Sequence, residues 1–427
     1  MGVSRRDWLA LFTSSASLGP AHAAGADARW AARSVPTTEP TRQLRPGGPS
    51  GLLGSGPSGA LWALSLTGAA SRRLALGIDP ASPLATGHGR VVARAADGAL
   101  WVWDGDREHR SAPSRLAPHA GLLSLPLAVI GVSADADAQH VVRLEPDSGR
   151  TWSVVVRSAD PVLPDARPMQ VDLDGRGDGG HVAVLAGPDA QRYDHGVLGD
   201  AVEATRLLWL ERHSLQPLRE LALPAPLVFE DIAPRAVALA RGAGLLTVRS
   251  GPSGAQLVLV TADGANNGRL QVAAAGDTLG QRHRWLEPTS DGERLLAVHT
   301  PHIGGVLHEY RLQGDRLLGR AVARGVSTHR SGRARANSTW QSGWARSSCC
   351  QVRMVRACTC STWRTAMPRA TARTCRRGCD DAGPARRPGH GGAARRWSGA
   401  ELALAVAGAR RVDAWQRGQP PGVRPAG

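Results

Sequence analysis

The sequence predicts an all-β protein, built as a β-propeller of about six or seven blades. The first observation is a long series of short apolar runs, and the second is the set of turn sequences that separates them. The third is length, because about 280 residues of such runs exceed what a β-sandwich usually contains, whereas six or seven blades of about 40 to 45 residues would use them all. Two stacked β-sandwiches remain the alternative.

The clearest repeat unit lies within residues 89–106. Two apolar runs, 91–94 and 100–103, are separated by Asp97 and Gly98. An Asp-Gly pair tolerates the positive φ angles that a tight turn requires, so this stretch predicts an antiparallel hairpin. A second turn sequence, Gly-Pro-Ser-Gly, occurs three times and directly precedes an apolar run each time, starting at Gly48, Gly56 and Gly251.

Further apolar runs predict the remaining strands. They occupy residues 61–66, 123–130, 141–144, 152–156, 182–185, 207–210, 218–223, 245–248, 257–260, 295–299 and 306–312. Turn sequences between them include Asp147-Ser148-Gly149, Asp263-Gly264 and Asp291-Gly292. Long helical periodicity is absent from the sequence, so strands joined by turns are the expected structure throughout.

The positive charge of the chain is unevenly distributed. All 52 basic residues are arginine, and with 36 acidic residues they give a formal net charge of +16. Residues 331–427 hold 18 arginines against four acids, so nearly all of the excess lies there. The rest of the chain is close to neutral and needs no basic face for a phosphate backbone. The composition therefore argues against nucleic acid as a partner.

The amino terminus carries three features of an exported protein in the expected order. Arg5 and Arg6 stand in the sequence Ser-Arg-Arg-Asp-Trp-Leu, which resembles the twin-arginine export signal. A modestly apolar run covers 9–18, and small residues define a cleavage site between Ala23 and Ala24. The resemblance implies a periplasmic or secreted protein with no membrane span after cleavage, since no later run reaches about 18 apolar residues. Such export permits a bound cofactor without implying one.

One loop of the body has alternating acids. Residues 171–185 read VDLDGRGDGGHVAVL, with Asp172 and Asp174 in alternation and Asp178 after them. Alternating carboxylates turn their oxygens toward one point, which suits Ca²⁺. The stretch resembles the calcium loop of FG-GAP/VCBS-type propeller repeats, and this resemblance implies a weak calcium site at the three aspartates, opposed by the charge of Arg176. A plain Asp-Gly turn explains the same residues equally well.

A second candidate site is a group of histidines near residue 300. His299 ends one predicted strand, His302 lies in the connection, and His308 lies in the next strand. Adjacent strands of a hairpin could bring His299 and His308 to one metal ion. The alternative is that these three histidines lie at the surface and in turns and bind no metal. Looser polar candidates are His195 and Asp200 in one loop and Asp231 in another.

The last hundred residues differ in kind from the body. All six cysteines fall between Cys349 and Cys379, and residues 331–379 contain no acid. A segment so poor in apolar residues cannot bury enough surface to fold by itself. A disulfide module and a metal-binding knuckle are possible readings, but regrouping the codons of residues 355–366 in a shifted frame gives an apolar strand that ends in Asp-Gly. We interpret the tail as an out-of-frame translation, disordered or without a fold of its own, which leaves the last blades incomplete.

These observations divide the chain and set the functional hypotheses. The predicted segments are a twin-arginine signal peptide (1–23), a linker (24–46), a propeller repeat domain (47–325) and an aberrant Arg- and Cys-rich tail (326–427). The common signatures of serine hydrolases, P-loop enzymes and zinc proteases are absent from the sequence. An exported non-catalytic propeller that binds an unknown ligand or protein partner is therefore favoured. The alternative is a periplasmic metal-dependent hydrolase or oxidoreductase that uses the histidine group.

Overall fold

A computed structural model describes residues 39–47, 51–65, 71–177, 179–240, 242–262, 268–290 and 294–327, together with the backbone of four strands outside these ranges. The predicted signal residues Arg5, Arg6, Ala23 and Ala24 lie outside the described residues. The six cysteines and Asp178 lie outside them as well. The predictions of export, of the frame of the tail and of the third calcium ligand therefore stay predictions.

The described chain is almost entirely β-structure, arranged as successive antiparallel units in sequence order. Two strands precede these units: β1 (Leu11–Phe12) and β2 (Trp30–Thr37). Unit one contains β3 (Gln43–Pro46), β4 (Gly51–Ser55), β5 (Leu61–Ser65) and β6 (Arg72–Ala75). Unit two contains β7 (Ala85–Gly87), β8 (Arg90–Arg94), β9 (Leu100–Trp103) and β10 (Glu108–Arg110). Each of these units is a four-stranded sheet.

Four more units follow, linked into one 17-stranded sheet in sequence order. Unit three contains β11 (Leu123–Ser124), β12 (Val129–Val132), β13 (Gln139–Pro146) and β14 (Trp152–Val162). Unit four contains β15 (Met169–Val171), β16 (His181–Asp189), β17 (Glu203–Leu210) and β18 (Pro217–Ala222). Unit five contains β19 (Val228–Phe229), β20 (Arg235–Ala238), β21 (Ala243–Ser250), β22 (Gln256–Ala262) and β23 (Leu270–Ala275). Unit six contains β24 (Leu286–Ser290), β25 (Leu295–His299), β26 (Val306–Gln313) and β27 (Arg316–Arg324).

Strands at the two ends of the chain pair with each other. After β27 come β28 (Val326–Ser327), β29 (Arg353–Met354) and β30 (Ala400–Ala407). β2 pairs with β30 along its whole length in antiparallel register, from Trp30 opposite Ala407 to Thr37 opposite Ala400. The region expected to be a linker therefore contains β2 and β3, and unit one begins at Gln43, just before the predicted boundary at 47.

The hairpin that the sequence predicts around Asp97 is present. β8 and β9 pair with Arg94 opposite Leu100, and Gly98 takes a φ of 86°. The Asp97 carboxylate accepts a hydrogen bond from the Ala99 amide (3.1 Å), which closes the turn. At the looser turn after Asp147, the positive φ falls on Arg150 (65°). The neighbouring Gly149 has no positive φ.

The core lies between neighbouring units, and this explains the unbroken apolar runs of the sequence. All residues of β9 are buried, as are the first six of β16 and the last four of β17. Such strands have an apolar neighbour on both faces, so their side chains need not alternate between apolar and polar. The outer strands face solvent instead, and β18 and β27 are largely exposed. Successive antiparallel meanders packed face to face, of four strands each except for the five of unit five, are the blades of a β-propeller.

The loops of each unit fall at two ends. Because the strands are antiparallel, the connection between the second and third strands lies at the same end as the connection to the next unit. We call this end the loop face. On it lie the connections 190–202, 276–285 and 300–305, from units four, five and six.

Candidate functional site

The structure separates the three histidines that the sequence groups near residue 300. His299 and His308 lie on β25 and β26 with their rings stacked, 3.6 Å between centroids and 16° between planes. His299 Nε2 also bonds the Tyr310 hydroxyl. His302 lies with another histidine, His195, whose ring centroid is 6.4 Å away. Within the described ranges, no group of three or more His, Cys, Asp or Glu side chains could hold a metal ion.

The stacked pair on β25 and β26 is an uncharged contact. Burial, and then the neighbouring His308, lower the pKa of His299 to about 4. Burial also lowers the pKa of His308, as does Arg324. Neutral imidazoles can stack closely because neither ring carries a charge that repels the other. The arrangement accounts for these two histidines as packing partners within unit six.

The aspartates of the predicted calcium loop bond to their own loop. Asp172 accepts hydrogen bonds from the amides of Arg176 (3.2 Å) and Gly177 (2.8 Å). Asp174 forms an ion pair with the Arg176 guanidinium, with 2.9 Å between Nε and Oδ2. Gly175 and Gly177 both take a φ of 70°, which supplies the tight curve of the loop. The two carboxylates thus make the contacts expected of an Asp-Gly turn.

A different set of side chains comes together on the loop face. His195, from connection 190–202, stacks on His283 from connection 276–285, with 4.9 Å between ring centroids and 19° between planes. His302, from connection 300–305, approaches the edge of His195. We call His195, His283 and His302 the histidine cluster. Connections that belong to three successive units supply one residue each.

Buried residues beneath the cluster hold its position. Tyr193 is fully buried, and its hydroxyl accepts a hydrogen bond from the His283 amide (2.9 Å). The Tyr193 ring contacts His283 edge to face, with 5.4 Å between centroids. Trp285, also buried, donates from Nε1 to the Glu230 carbonyl (3.0 Å), which joins the loops of units five and six. The buried side chains of Tyr193 and Trp285 therefore fix the loops that carry the cluster.

Connection 276–285 is also tied to the Gly-Pro-Ser-Gly turn at Gly251. The Ala255 amide donates to the Arg284 carbonyl (2.8 Å), and the Leu279 amide donates to the Ala255 carbonyl (3.0 Å). At Gly254, with a φ of 82°, a Cβ atom would lie 2.3 Å from the Gln281 carbonyl oxygen. Only glycine permits this close approach of two backbones.

A buried carboxylate orients the central histidine. Glu230 is fully buried and bonds His195 Nδ1 through Oε1, while its Oε2 accepts a hydrogen bond from the Ser250 hydroxyl. Burial raises the pKa of Glu230, and the bonds from His195 and Ser250 oppose that rise. A carboxylate bonded to Nδ1 fixes the orientation of the His195 ring, whose side chain is 15% exposed.

A second buried acid lies close by. Glu203, at the start of β17, is 1% exposed, and its Oε1 has no hydrogen-bond partner. Burial raises the pKa of Glu203 to about 10, and repulsion from Glu230, Asp165 and Asp231 adds to the rise. Glu203 therefore carries a proton at neutral pH, which spares the interior an additional negative charge.

The weaker polar candidates of the sequence have structural contacts. Asp231 bonds Arg235 Nη1 (2.6 Å) and the Thr247 hydroxyl (3.0 Å), which fixes the start of unit five. Asp200 accepts a hydrogen bond from the Val202 amide (2.9 Å). Of these candidates, only His195 belongs to the cluster. The sequence singled out neither of its partners His283 and Glu230, because they come from separate loops and share no motif.

At the rim of the cluster an exposed acid contacts two basic side chains. Asp194 Oδ1 lies 2.6 Å from Arg282 Nη2 and 3.0 Å from His283 Nε2. Arg282 also lies over the Tyr193 ring, with 5.2 Å from Cζ to the ring centroid. Hydrogen bonds from Arg282 and then His283 lower the pKa of Asp194 to about 2. The rim is thus a charged contact over a buried base.

No helix in the described part of the chain is long and apolar enough to cross a membrane.

The sequence matches no protein-family model, and it matches no curated protein. Solved structures in which the backbone follows a similar path include BamB from Moraxella catarrhalis. It is 15% identical, the match covers 68% of this chain and 78% of that protein, and the TM-score is 0.38. YCF48 from Cyanidioschyzon merolae is 12% identical, with 70% and 92% covered and a TM-score of 0.41.

The N-terminal domain of Nup159 is another such structure, 12% identical with a TM-score of 0.33. The match covers 50% of this chain and 63% of that domain, so this chain spans less than two thirds of its length. The FG-GAP/VCBS resemblance of residues 171–185 has no family match beside it and stays a prediction. The strand order and register of units one to six are those of a β-propeller.

Proposed function

We propose that this chain is an exported, non-catalytic β-propeller that binds a ligand or protein partner through its loop face at units four to six. One observation carries the proposal: connections from three successive units bring His195, His283 and His302 together over the buried carboxylate of Glu230. Propellers commonly bind through residues on loops, because the sheets fix the position of each loop. A partly exposed polar cluster on such a base is suited to recognition.

Hydrolytic catalysis is the second candidate, favoured by the bond between His195 and Glu230. A carboxylate that orients a histidine is the arrangement of a general base. Catalysis by a nucleophile also requires a hydroxyl that donates to that base. The Ser250 hydroxyl donates its hydrogen bond to Glu230 and not to His195, and the Tyr193 hydroxyl accepts one from the His283 amide. These contacts favour binding over acyl transfer.

Site-specific photocrosslinking in cells tests the binding function. A photoreactive residue replaces Ile303, which is 54% exposed beside His302. The control position is Leu127, 77% exposed in the turn between β11 and β12, at the opposite end of the units. We expect a discrete adduct from position 303, lost when His283→Ala is added, and none from position 127. Equal labelling at both positions would contradict a loop-face site.

Export is tested separately with the amino-terminal arginines. Paired guanidinium groups bind in a geometry that an ammonium group does not reproduce, so even lysine should fail at these positions. We expect the Arg5→Lys, Arg6→Lys double variant to stay in the cytoplasmic fraction, with the parent protein recovered outside it. Unchanged recovery of the double variant outside the cytoplasm would rule out this route.

A further inference from the structure

We propose that Arg282 and His283 form a receptor for a carboxylate group of the ligand, and that Asp194 of the same chain occupies this receptor until the ligand displaces it. The inference rests on the proposed function, because it names the chemistry recognised at the same loop face. The ligand class is a peptide or protein segment with an accessible Asp or Glu side chain.

The contact geometry is that of a bound carboxylate. One oxygen of Asp194 lies within hydrogen-bond distance of both the Arg282 guanidinium and the His283 imidazole, at 2.6 and 3.0 Å. The Arg282 guanidinium is the permanent donor of this contact. His283 Nε2 lies 3.0 Å from Arg282 Nε as well as from Asp194 Oδ1, and it donates to the carboxylate in the form that carries a proton on Nε2. The seated group is itself an Asp side chain, so a carboxylate of this size has room beside Arg282 and His283.

The two sides of this contact differ in how firmly they are held. Tyr193 fixes the receptor: its buried hydroxyl bonds the His283 amide, and Arg282 lies over its ring. His283 is further held by stacking on His195, which is itself bonded to Glu230. The Asp194 side chain is 72% exposed, and rotation about its own side-chain bonds would move the carboxylate out of the receptor. Because Asp194 lies between Tyr193 and His195, its backbone is held by the same residues as the receptor. Exchange therefore requires only rotation of its side chain, which is more exposed than those of Arg282 (44%) and His283 (41%).

Exposure also makes the internal contact easy to replace. Ion pairs between exposed side chains are weak, because water solvates both partners well when they part. A ligand that brings its own carboxylate regains the same contacts and adds others from the loops around it. The low pKa of Asp194 keeps the occupant charged across the physiological range, so displacement depends on competition and not on protonation of Asp194.

The surrounding charges favour a carboxylate as the ligand group. The charged and titratable groups at this rim are Asp194, Arg282, His283 and His195, with Glu230 beneath and His302 at the edge. One permanent cation, Arg282, balances one carboxylate. A doubly charged phosphate would bring a second negative charge toward Glu230 without a second arginine in the contacts described above.

Peptide binding to the full-length protein tests the receptor. The probe is a fluorescein-labelled, amino-acetylated pentaglutamate peptide, and its dissociation constant is measured by fluorescence anisotropy at 150 mM NaCl and pH 7. The test variant is Asp194→Asn, which removes the competing charge and keeps the side-chain size. The matched control is Asp277→Asn, an 85% exposed aspartate paired with Arg316 (3.0 Å) that contacts no histidine of the cluster in the described structure.

We expect Asp194→Asn to bind the peptide at least about threefold more tightly than the parent. If Asp194 occupies the receptor in about two thirds of the molecules, only about one third can bind the peptide, and removing the occupant makes all of them competent. Asp277→Asn should match the parent. Adding Arg282→Gln to Asp194→Asn should abolish the gain. Thermal unfolding of each variant confirms that the fold is retained.

Three results would overturn the receptor. They are no tightening in Asp194→Asn, equal tightening in Asp277→Asn, and a gain that persists without Arg282. Inorganic phosphate that displaces the peptide at lower concentration than acetate would overturn the carboxylate class. If these results occur while crosslinking from position 303 still depends on His283, the loop face binds its partner by other contacts. If crosslinking fails and tightening occurs, the receptor stands without the proposed cellular partner.

Discussion

Replacing the buried acid Glu203 with glutamine should stabilise the protein, and more so as pH rises. The pKa of Glu203 in the folded chain is raised to about 10 from an ordinary 4.5, mainly by burial. At pH 7 the unfolded chain releases this proton and the folded chain retains it, so folding loses free energy as pH rises above 4.5. Between pH 4.5 and pH 7 the free energy of unfolding falls by about 1.4 kcal/mol per pH unit, which gives a loss of about 3 kcal/mol at pH 7.

Glutamine has nearly the same shape and no proton to release, so Glu203→Gln removes this penalty. We expect a gain of about 3 kcal/mol at pH 7 and less than about 1 kcal/mol at pH 5, relative to the parent at the same pH. Urea unfolding followed by tryptophan fluorescence measures both values. Glu220→Gln is the control, because Glu220 is 52% exposed and lies near Arg206 on the surface. A change in stability that is equal at the two pH values would refute the assignment of a buried, protonated Glu203, because the cost of burying the new amide N–H groups does not depend on pH.

Three further predictions concern other parts of the fold. His299→Gln should flatten the acid side of the stability profile, because the lowered pKa of His299 (about 4, from 6.5) contributes stability above pH 6.5 that is lost as pH falls toward 4. The effect is about 1 to 2 kcal/mol after discounting for partial exposure, and an unchanged acid limb in urea unfolding would contradict it. Gly254→Ala should lower the free energy of unfolding by more than about 2 kcal/mol, because its Cβ atom would clash with the Gln281 carbonyl. The control is Gly280→Ala, at a φ of 76° with no atom within 4 Å of the added Cβ, which should cost about 1 kcal/mol. Equal losses of the two variants in thermal unfolding would argue against the clash. Weak Ca²⁺ binding by the 171–185 loop should raise the melting temperature slightly at millimolar Ca²⁺, and Asp174→Ala should remove that shift. No shift in the parent protein would contradict a calcium site there.

The strands that sequence alone could predict are those that carry a run of apolar side chains, whether buried on both faces, as β9 is, or partly exposed, as β18 and β26 are. β9 and β25 coincide with the predicted runs 100–103 and 295–299. The predicted run 123–130 is instead divided into β11 and β12 by a turn in which Leu125 and Ala128 share a backbone hydrogen bond. Outer strands such as β10 carry mostly polar side chains, so apolar runs did not reveal them. Pairing with a neighbour, not side-chain pattern, forms such strands.

The candidate site was much less predictable than the fold. Proximity in sequence grouped His302 with His299 and His308, but the connection between strands carries His302 to a different neighbour, His195. Glu230 and His283 lie 35 and 89 residues from their partners His195 and Asp194. Contacts of such range are set by the packing of whole units, and no local spacing encodes them.

The Gly-Pro-Ser-Gly turns of units one and five make the same kind of backbone contact. In unit one, a Cβ atom at Gly59 would lie 2.3 Å from the Ile78 carbonyl oxygen, just as one at Gly254 would meet Gln281 in unit five. Both turns clamp the following inter-unit connection by close approach of backbones and by main-chain hydrogen bonds. A connection anchored through its backbone leaves its side chains unconstrained by the anchor. The loop that carries Arg282 and His283 should therefore accept new side chains, and the equivalent loop after β6 offers a second place where a binding residue can be introduced without rebuilding a sheet.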